Sequence, residues 1–234
     1  MTPTSESTTP AAIASAEEPL RLRPDVMSRL AFLEIFGNSN PVELELGSGD
    51  GSFLANYAAL HPERNFIGVE RLLGRLRKLG RKGVRAGLTN LRTLRLEAAY
   101  ILEWMIQPNS LDAIHVYFPD PWPKRRHWKR RLINTEFTRL AYVALGKGGR
   151  VCLRTDNAPY FEQMNEVFRA HPGFAPVESA SELLAVTTDF EKDFNAKGIP
   201  TLQVTYVRLD KPVTETEKAS TAGSVPPCPP EQTV

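Results

Sequence analysis

Five short apolar runs recur along the middle of this chain, at residues 42–46, 65–70, 91–97, 111–118 and 150–155. Each ends in or just before an acidic residue: Glu45, Glu70, Glu97, Asp120 and Asp156. Segments of helical spacing alternate with the runs, at 52–60, 71–85, 98–106, 132–145 and 159–170, and a late strand rich in Val, Thr and Tyr follows at 202–209. Repeated strand–helix units predict an α/β fold: a doubly wound, mostly parallel sheet with helices on both faces. In such sheets the crossovers are right-handed, and ligands bind beyond the carboxyl ends of the strands. A charge inside a buried parallel strand is costly. At the carboxyl end of a strand it faces the ligand cleft, so five acids in that place predict a site built on carboxylates.

The first strand runs into Gly47-Ser48-Gly49-Asp50-Gly51 and then into a helix. Glycines permit positive φ and let a ligand approach the backbone closely. The spacing is G-x-G-x-G, whereas the dinucleotide fingerprint is G-x-G-x-x-G with pyrophosphate on the helix N-terminus. That departure favours S-adenosylmethionine over NAD. Glu70 stands 23 residues beyond Gly47, at the end of the second strand, where an acid accepts hydrogen bonds from both ribose hydroxyls. An ion pair of Glu70 with Arg71 is the alternative.

The segment Phe118-Pro119-Asp120-Pro121-Trp122-Pro123-Lys124 holds one acid between two prolines. Proline fixes φ and biases the preceding residue to extended geometry, which aims Asp120. A dense basic arm follows: six of the eight residues from Lys124 to Arg131 are Lys or Arg, with His127 and Trp128 among them. Such an arm neutralises phosphates, and its rings stack on bases. The chain's net charge of +2 hides an asymmetry, because residues 64–131 carry 16 Lys and Arg against 5 Asp and Glu. That basic half predicts a nucleic-acid face. The helix at 71–85 contributes seven of these cations and reads equally as RNA contact or as a solvated face.

Other classes are excluded or left without support. The two cysteines, Cys152 and Cys228, form no disulfide framework, no zinc site is indicated, and a reduced cytoplasmic setting fits. The N-terminus has no signal-peptide pattern, and no run reaches the ~18 apolar residues of a membrane span. Residues 1–20 and 211–234 are polar or Pro-rich and are expected to be disordered tails around a single domain at 21–210.

Together these residues resemble the tRNA (guanine-N7-)-methyltransferase family. The resemblance is carried by 42–51, by Phe66-Ile67-Gly68-Val69-Glu70, by Tyr117 to Lys124, by Leu153-Arg154-Thr155-Asp156 and by Thr188-Asp189-Phe190-Glu191. It implies a seven-stranded Rossmann-like methyltransferase fold, S-adenosylmethionine as donor, no metal, and methylation of guanine N7 at position 46 of tRNA. It implies that Glu45, Gly47, Gly49, Glu70, Glu97 and Asp120 line the donor site, with Asp120 also catalytic. Lys124, Asp156, Thr188, Asp189, Phe190 and Glu191 would contact substrate. Arg126, His127, Trp128, Lys129, Arg130 and Arg131 would touch RNA. Glu97 stands where the family more often has Asp or Asn, and Asp189 replaces a frequent Lys. Guanine N7 carries no proton, so Asp120 is expected to orient and to stabilise charge rather than to act as a base. The alternatives are methylation of an exocyclic amino group, an NAD-dependent oxidoreductase, and an RNA-binding scaffold without turnover. The sequence leaves monomer and homodimer open.

Overall fold

Apolar runs with alternating faces become strands because successive side chains point to opposite sides of a sheet. The computed structural model of the chain describes residues 20–210, so both expected tails lie outside the described residues apart from Leu20. It contains seven strands: β1 (Val42–Leu46), β2 (Asn65–Val69), β3 (Leu91–Leu94), β4 (Leu111–Tyr117), β5 (Leu145–Thr155), β6 (Phe174–Val177) and β7 (Leu202–Arg208). Their order across the sheet is β3-β2-β1-β4-β5-β7-β6. The first five are mutually parallel, and β7 runs antiparallel to both β5 and β6. The mostly parallel, doubly wound sheet expected from the strand–helix alternation is therefore present. The order reverses at β1, which has β2 on one side and β4 on the other.

The helices are α1 (Phe32–Phe36), α2 (Leu54–Leu60), α3 (Leu73–Arg85), α4 (Ala98–Tyr100), α5 (Thr135–Ala144), α6 (Ala158–Ala170), α7 (Ser181–Ala185) and α8 (Asp189–Ala196). A 3₁₀ helix covers Arg125–Arg130 within the basic arm. The helix expected at 98–106 is split: α4 passes into a π-helical turn at Ile101–Met105.

Two apolar cores lie against the sheet. The larger takes Leu44 and Leu46, Ile114 and Val116, Val151 and Leu153, and packs them with Phe137 of α5 and Met164 and Phe168 of α6. The smaller takes Phe66, Leu91, Tyr117 and Cys152 and packs them with Leu54 and Tyr57 of α2, Leu79 of α3 and Leu183 of α7. By the period of two, Glu43 and Glu45 lie on the opposite face of β1 from Leu44 and Leu46, and so on the side of the smaller core. His115 and Arg154 stand in the same relation on β4 and β5. All four are buried.

Candidate active site

The loop after β1 takes left-handed backbone at Gly47 (φ +77°), Gly49 (φ +54°) and Gly51 (φ +76°). At Gly51 a side chain is excluded twice over, because an added Cβ would lie 2.3 Å from Leu79 Cδ1 on α3. The glycines thus let the loop turn while α3 packs close beneath it. Glu70, at the end of β2, fastens the loop: its Oε2 accepts from the Gly49 N–H at 3.1 Å and its Oε1 from the Leu72 N–H at 2.7 Å. Each carboxylate oxygen has a second lone pair, so acceptor capacity remains. Glu97 follows β3 and caps α4, its Oε2 accepting from the N–H groups of Ala99 (2.9 Å) and Tyr100 (3.1 Å).

Beyond β4 the chain enters the Pro119–Pro121 turn under strain. Phe118 has φ +50° and Trp122 has φ +42°. Both precede a proline, where extended geometry was expected, and left-handed backbone at a bulky residue costs on the order of 1–3 kcal/mol. The surroundings impose it. The Phe118 N–H donates to the Arg154 carbonyl at 2.8 Å, and its ring packs against Phe194 (5.9 Å) and Phe190 (6.4 Å). The Trp122 ring lies edge-on to His127 and under the guanidinium of Arg130 at 5.0 Å. Between these anchors Asp120 is exposed.

An open cleft of about 360 Å³ lies where these pieces meet. Gly47, Glu70, Glu97 and Asp120 line it, so the carboxyl ends of β1, β2, β3 and β4 converge on one space. Arg71, Arg75 and Arg130 place three cations at its wall, with Phe118 and Trp122 as its aromatic surface. Sequence reasoning had not put Arg71 and Arg75 in the cleft.

Glu45, two residues before Gly47, does not line the cleft; it is 3% exposed, and its Oε2 has no hydrogen-bond partner. Burial pushes its carboxyl up to about 7, against the pull of His115 and Arg154. The Ser48 hydroxyl of the glycine loop is likewise buried without a partner. Polar atoms orphaned at a glycine loop fit a site that a polar ligand completes.

The late motif occupies a different position. Thr188 and Glu191 form a reciprocal capping box at the start of α8: Thr188 Oγ1 accepts from the Glu191 N–H at 2.9 Å, and Glu191 Oε2 accepts from the Thr188 N–H at 3.3 Å. The Glu191 carboxylate also takes Nη1 of Arg154 at 3.0 Å, and Arg154 donates to the carbonyls of Val186 and Leu183. A buried arginine in a strand needs such partners; its place in an apolar run was the signal available in the sequence. The Asp189 N–H donates to Ser52 Oγ at 3.1 Å, which ties α8 to the segment after the glycine loop. Phe190 is 52% exposed and Asp189 is exposed, whereas Thr188 and Glu191 are buried. Asp156 lies just past β5 and Lys124 precedes the 3₁₀ helix; neither lines the cleft. In the arm, Arg126, Lys129 and Arg130 are exposed, His127 and Trp128 are half-buried, and Arg131 is only 2% exposed.

A family described as a putative methyltransferase matches residues 39–204. Relatives named tRNA (guanine-N(7)-)-methyltransferase include one from Listeria welshimeri, 35% identical over 71% of this chain and 80% of its own. One from Aliivibrio fischeri is 37% identical over 68% of this chain and 67% of its own. The chain belongs to the tRNA (guanine-N7-)-methyltransferase family. With the Streptomyces avermitilis member the identity is 45% over 62% of this chain, and the match spans half of that relative's length. Among solved structures the 16S rRNA methyltransferase KamB superposes with TM-score 0.57 at 16% identity, over 76% of this chain and 92% of its own. TrmN from Thermus thermophilus gives 0.53 at 21%, over 76% of this chain and 47% of its own. These two likenesses show the fold. Among the described residues of this family member, no cluster of three or more His, Cys, Asp or Glu could hold a metal ion. No helix among them is long and apolar enough to cross a membrane.

Proposed function

We propose that this chain methylates N7 of a guanine in tRNA, the guanine at position 46 of the variable region, with S-adenosylmethionine as donor. The observation that carries the reading is Asp120, held in a strained turn on the wall of the same cleft as Glu70, Glu97 and three arginines. Family and fold imply the donor. The residues present fit it: Gly47 and Gly49 for close backbone approach, Glu70 for a ribose, Glu97 for the adenine end, and Glu45 just before the loop. When bound, the donor supplies an electrophilic methyl group on a sulfonium.

The chain's own residues then have orienting and electrostatic roles. Guanine N7 offers a lone pair and no proton, so no base is required of Asp120. A methylated purine carries positive charge, and a fixed carboxylate stabilises that charge as it grows. Transfer to a lone pair is in-line, so most of the acceleration comes from holding the base in place. Phe118, Trp122 and the exposed Phe190 offer aromatic surface for a base taken out of its stack. Arg71, Arg75 and Arg130 offer charge to the flanking phosphates.

Transfer of labelled methyl to unmodified tRNA transcripts, followed by nucleoside analysis, tests the reading. The expected product is 7-methylguanosine, lost when the guanine at position 46 is replaced. Label in an N-methylated amino group would move the chemistry to a different acceptor. Retained label after the replacement would move the site.

A further inference from the structure

We propose that Arg131 is a positioning residue for the Asp120 turn and not one of the cations that meet RNA. The inference rests on the functional reading above and assigns a role within that site. Arg131 ends a run of basic residues whose other cations are exposed, yet it is itself buried. Its Nε donates to the carbonyl of Pro121 at 2.7 Å, one residue after Asp120. Its Nη1 donates to Gln163 Oε1 at 2.6 Å. The guanidinium lies 4.4 Å from the Trp128 ring centroid and 4.7 Å from that of Tyr160.

The far end of this clamp is fixed. Tyr160 and Gln163 belong to α6, in the larger core side of the sheet. Gln163 Nε2 donates to the Ile133 carbonyl at 3.1 Å, and the Tyr160 hydroxyl accepts from the Ile133 N–H at 2.9 Å. A continuous set of contacts therefore runs from α6 through Arg131 to Pro121. Strained backbone persists only where its surroundings over-determine it. The left-handed residues Phe118 and Trp122 bracket the turn, and Arg131 holds the carbonyl between them. A planar guanidinium reaches both acceptors at a fixed angle while stacking on two rings; an ammonium cannot. With its donors on Pro121 and Gln163, the Arg131 head faces the protein and not a phosphate.

The test compares Arg131→Ala, Arg131→Lys and Gln163→Leu by turnover at saturating tRNA and donor, by tRNA affinity and by the salt dependence of that affinity. Both Arg131 variants should lose turnover about 100-fold, the size of an ångström-scale misplacement, with tRNA affinity and its salt slope unchanged. Gln163→Leu removes one acceptor and should lower turnover less, again at constant affinity. If Arg131→Ala fails to fold, the Lys and Gln163 variants carry the test. The proposal is overturned if Arg131→Ala cuts the salt slope by about 0.7–0.9 and Lys restores it, the signature of one lost phosphate contact. Full turnover of Arg131→Lys overturns it as well. Absence of methyl transfer by the unmodified protein would sink the functional reading instead. The clamp is then read by tryptic cleavage at residues 124–130, which should quicken in Arg131→Lys and would stay constant if the guanidinium does not hold the turn.

Discussion

Glu43 and Glu45 lie two residues apart on the same face of β1, both buried, and they have opposite fates. Glu43 is committed to the fold. Its Oε2 meets His115 Nε2 at 2.7 Å, its Oε1 meets Arg64 Nη1 at 3.1 Å, and His115 Nδ1 meets the Tyr117 hydroxyl at 2.8 Å. Burial alone would push the Glu43 carboxyl up, but His115 and Arg64 outweigh it and hold it below the ordinary range. Glu45, nearer the carboxyl end, keeps an oxygen without a partner and is pushed up to about 7. A cavity of about 240 Å³ lies beside Glu43, against about 360 Å³ for the cleft. Yet the charge buried in the smaller of the two is matched, with Arg64 bridging Glu43 and Glu182, while Lys147 meets Asp210 and Asp112 accepts from the Val42 N–H. What separates Glu43 from Glu45 is whether both carboxylate oxygens have a partner inside the protein.

The largest expected effect attacks the committed side. His115→Phe strands the Glu43 carboxylate with Arg64 alone, and breaking a buried pair costs about 3–5 kcal/mol. Chemical denaturation should show that loss while methyl transfer per folded molecule holds. An unchanged midpoint would mean that the cluster of Glu43, His115 and Arg64 contributes nothing to stability. The next effect attacks the open side. Asp120→Ala should lower turnover about 10²–10³-fold, the scale of one preorganised electrostatic group, and leave stability and tRNA affinity in place. Equal turnover would remove Asp120 from the chemistry.

A third prediction uses pH. The Glu45 carboxyl rises from an ordinary 4.5 to about 7 in the native state. Between those values the native state keeps a proton that the unfolded chain has released, so stability falls as pH rises through that window and is level above it. The loss is on the order of 3 kcal/mol, and Glu45→Gln should abolish it. Denaturation at pH 4.5 and pH 8 checks this. If the mutant and the original show the same pH difference, Glu45 does not differ from Glu43 in the way described. His115 adds slope of the same sign. Burial opposes its charge, but hydrogen bonds with Cys152 and Glu43 hold the imidazolium above its ordinary value, a contribution lost as pH rises through that raised value.

The five strands with acids at their ends were legible because apolar runs and helical spacing alternate with few interruptions. The convergence of Glu70, Glu97 and Asp120 follows from that topology alone. β6 was not legible: Phe174–Val177 is four residues with a proline, and it exists through its pairing with β7. The reversed backbone at Phe118 and Trp122 was hidden for a related reason, since local preference points the other way and distant contacts decide. The run Lys124–Arg131 carries no periodicity that marks its last member as buried; the one hint is that Leu132 and Ile133 resume the apolar pattern there. Thr188 and Glu191 were expected, by resemblance, to contact substrate; their spacing of three is also that of a capping box, a signal overlooked in the sequence. The structure places their side chains in the cap, with Phe190 exposed between them.

The smallest effect concerns the basic face of α3. Among the described residues Arg75, Lys78, Arg81 and Arg85 make no ion pair, while Lys82 meets Asp50 at 3.0 Å. Cations four apart, such as Arg81 and Arg85, repel by a few tenths of a kcal/mol each. The helix spans about 20 Å and starts at the cleft, where Arg71 and Arg75 form part of the wall. Such a strip is intrinsically unfavourable without an outside polyanion, and tRNA backbone beyond the target base would supply one. The triple variant Lys78→Gln, Arg81→Gln, Arg85→Gln should therefore lower the salt slope of tRNA affinity by about 0.7–0.9 for each phosphate contact removed. Turnover at saturating tRNA should hold, since none of the three lines the cleft, and the melting temperature should rise slightly as the repulsion is relieved. A variant that melts higher and keeps its salt slope would make the strip a solvated face. The polyanion would then be held by the arm at 124–130 and by the three arginines of the cleft alone.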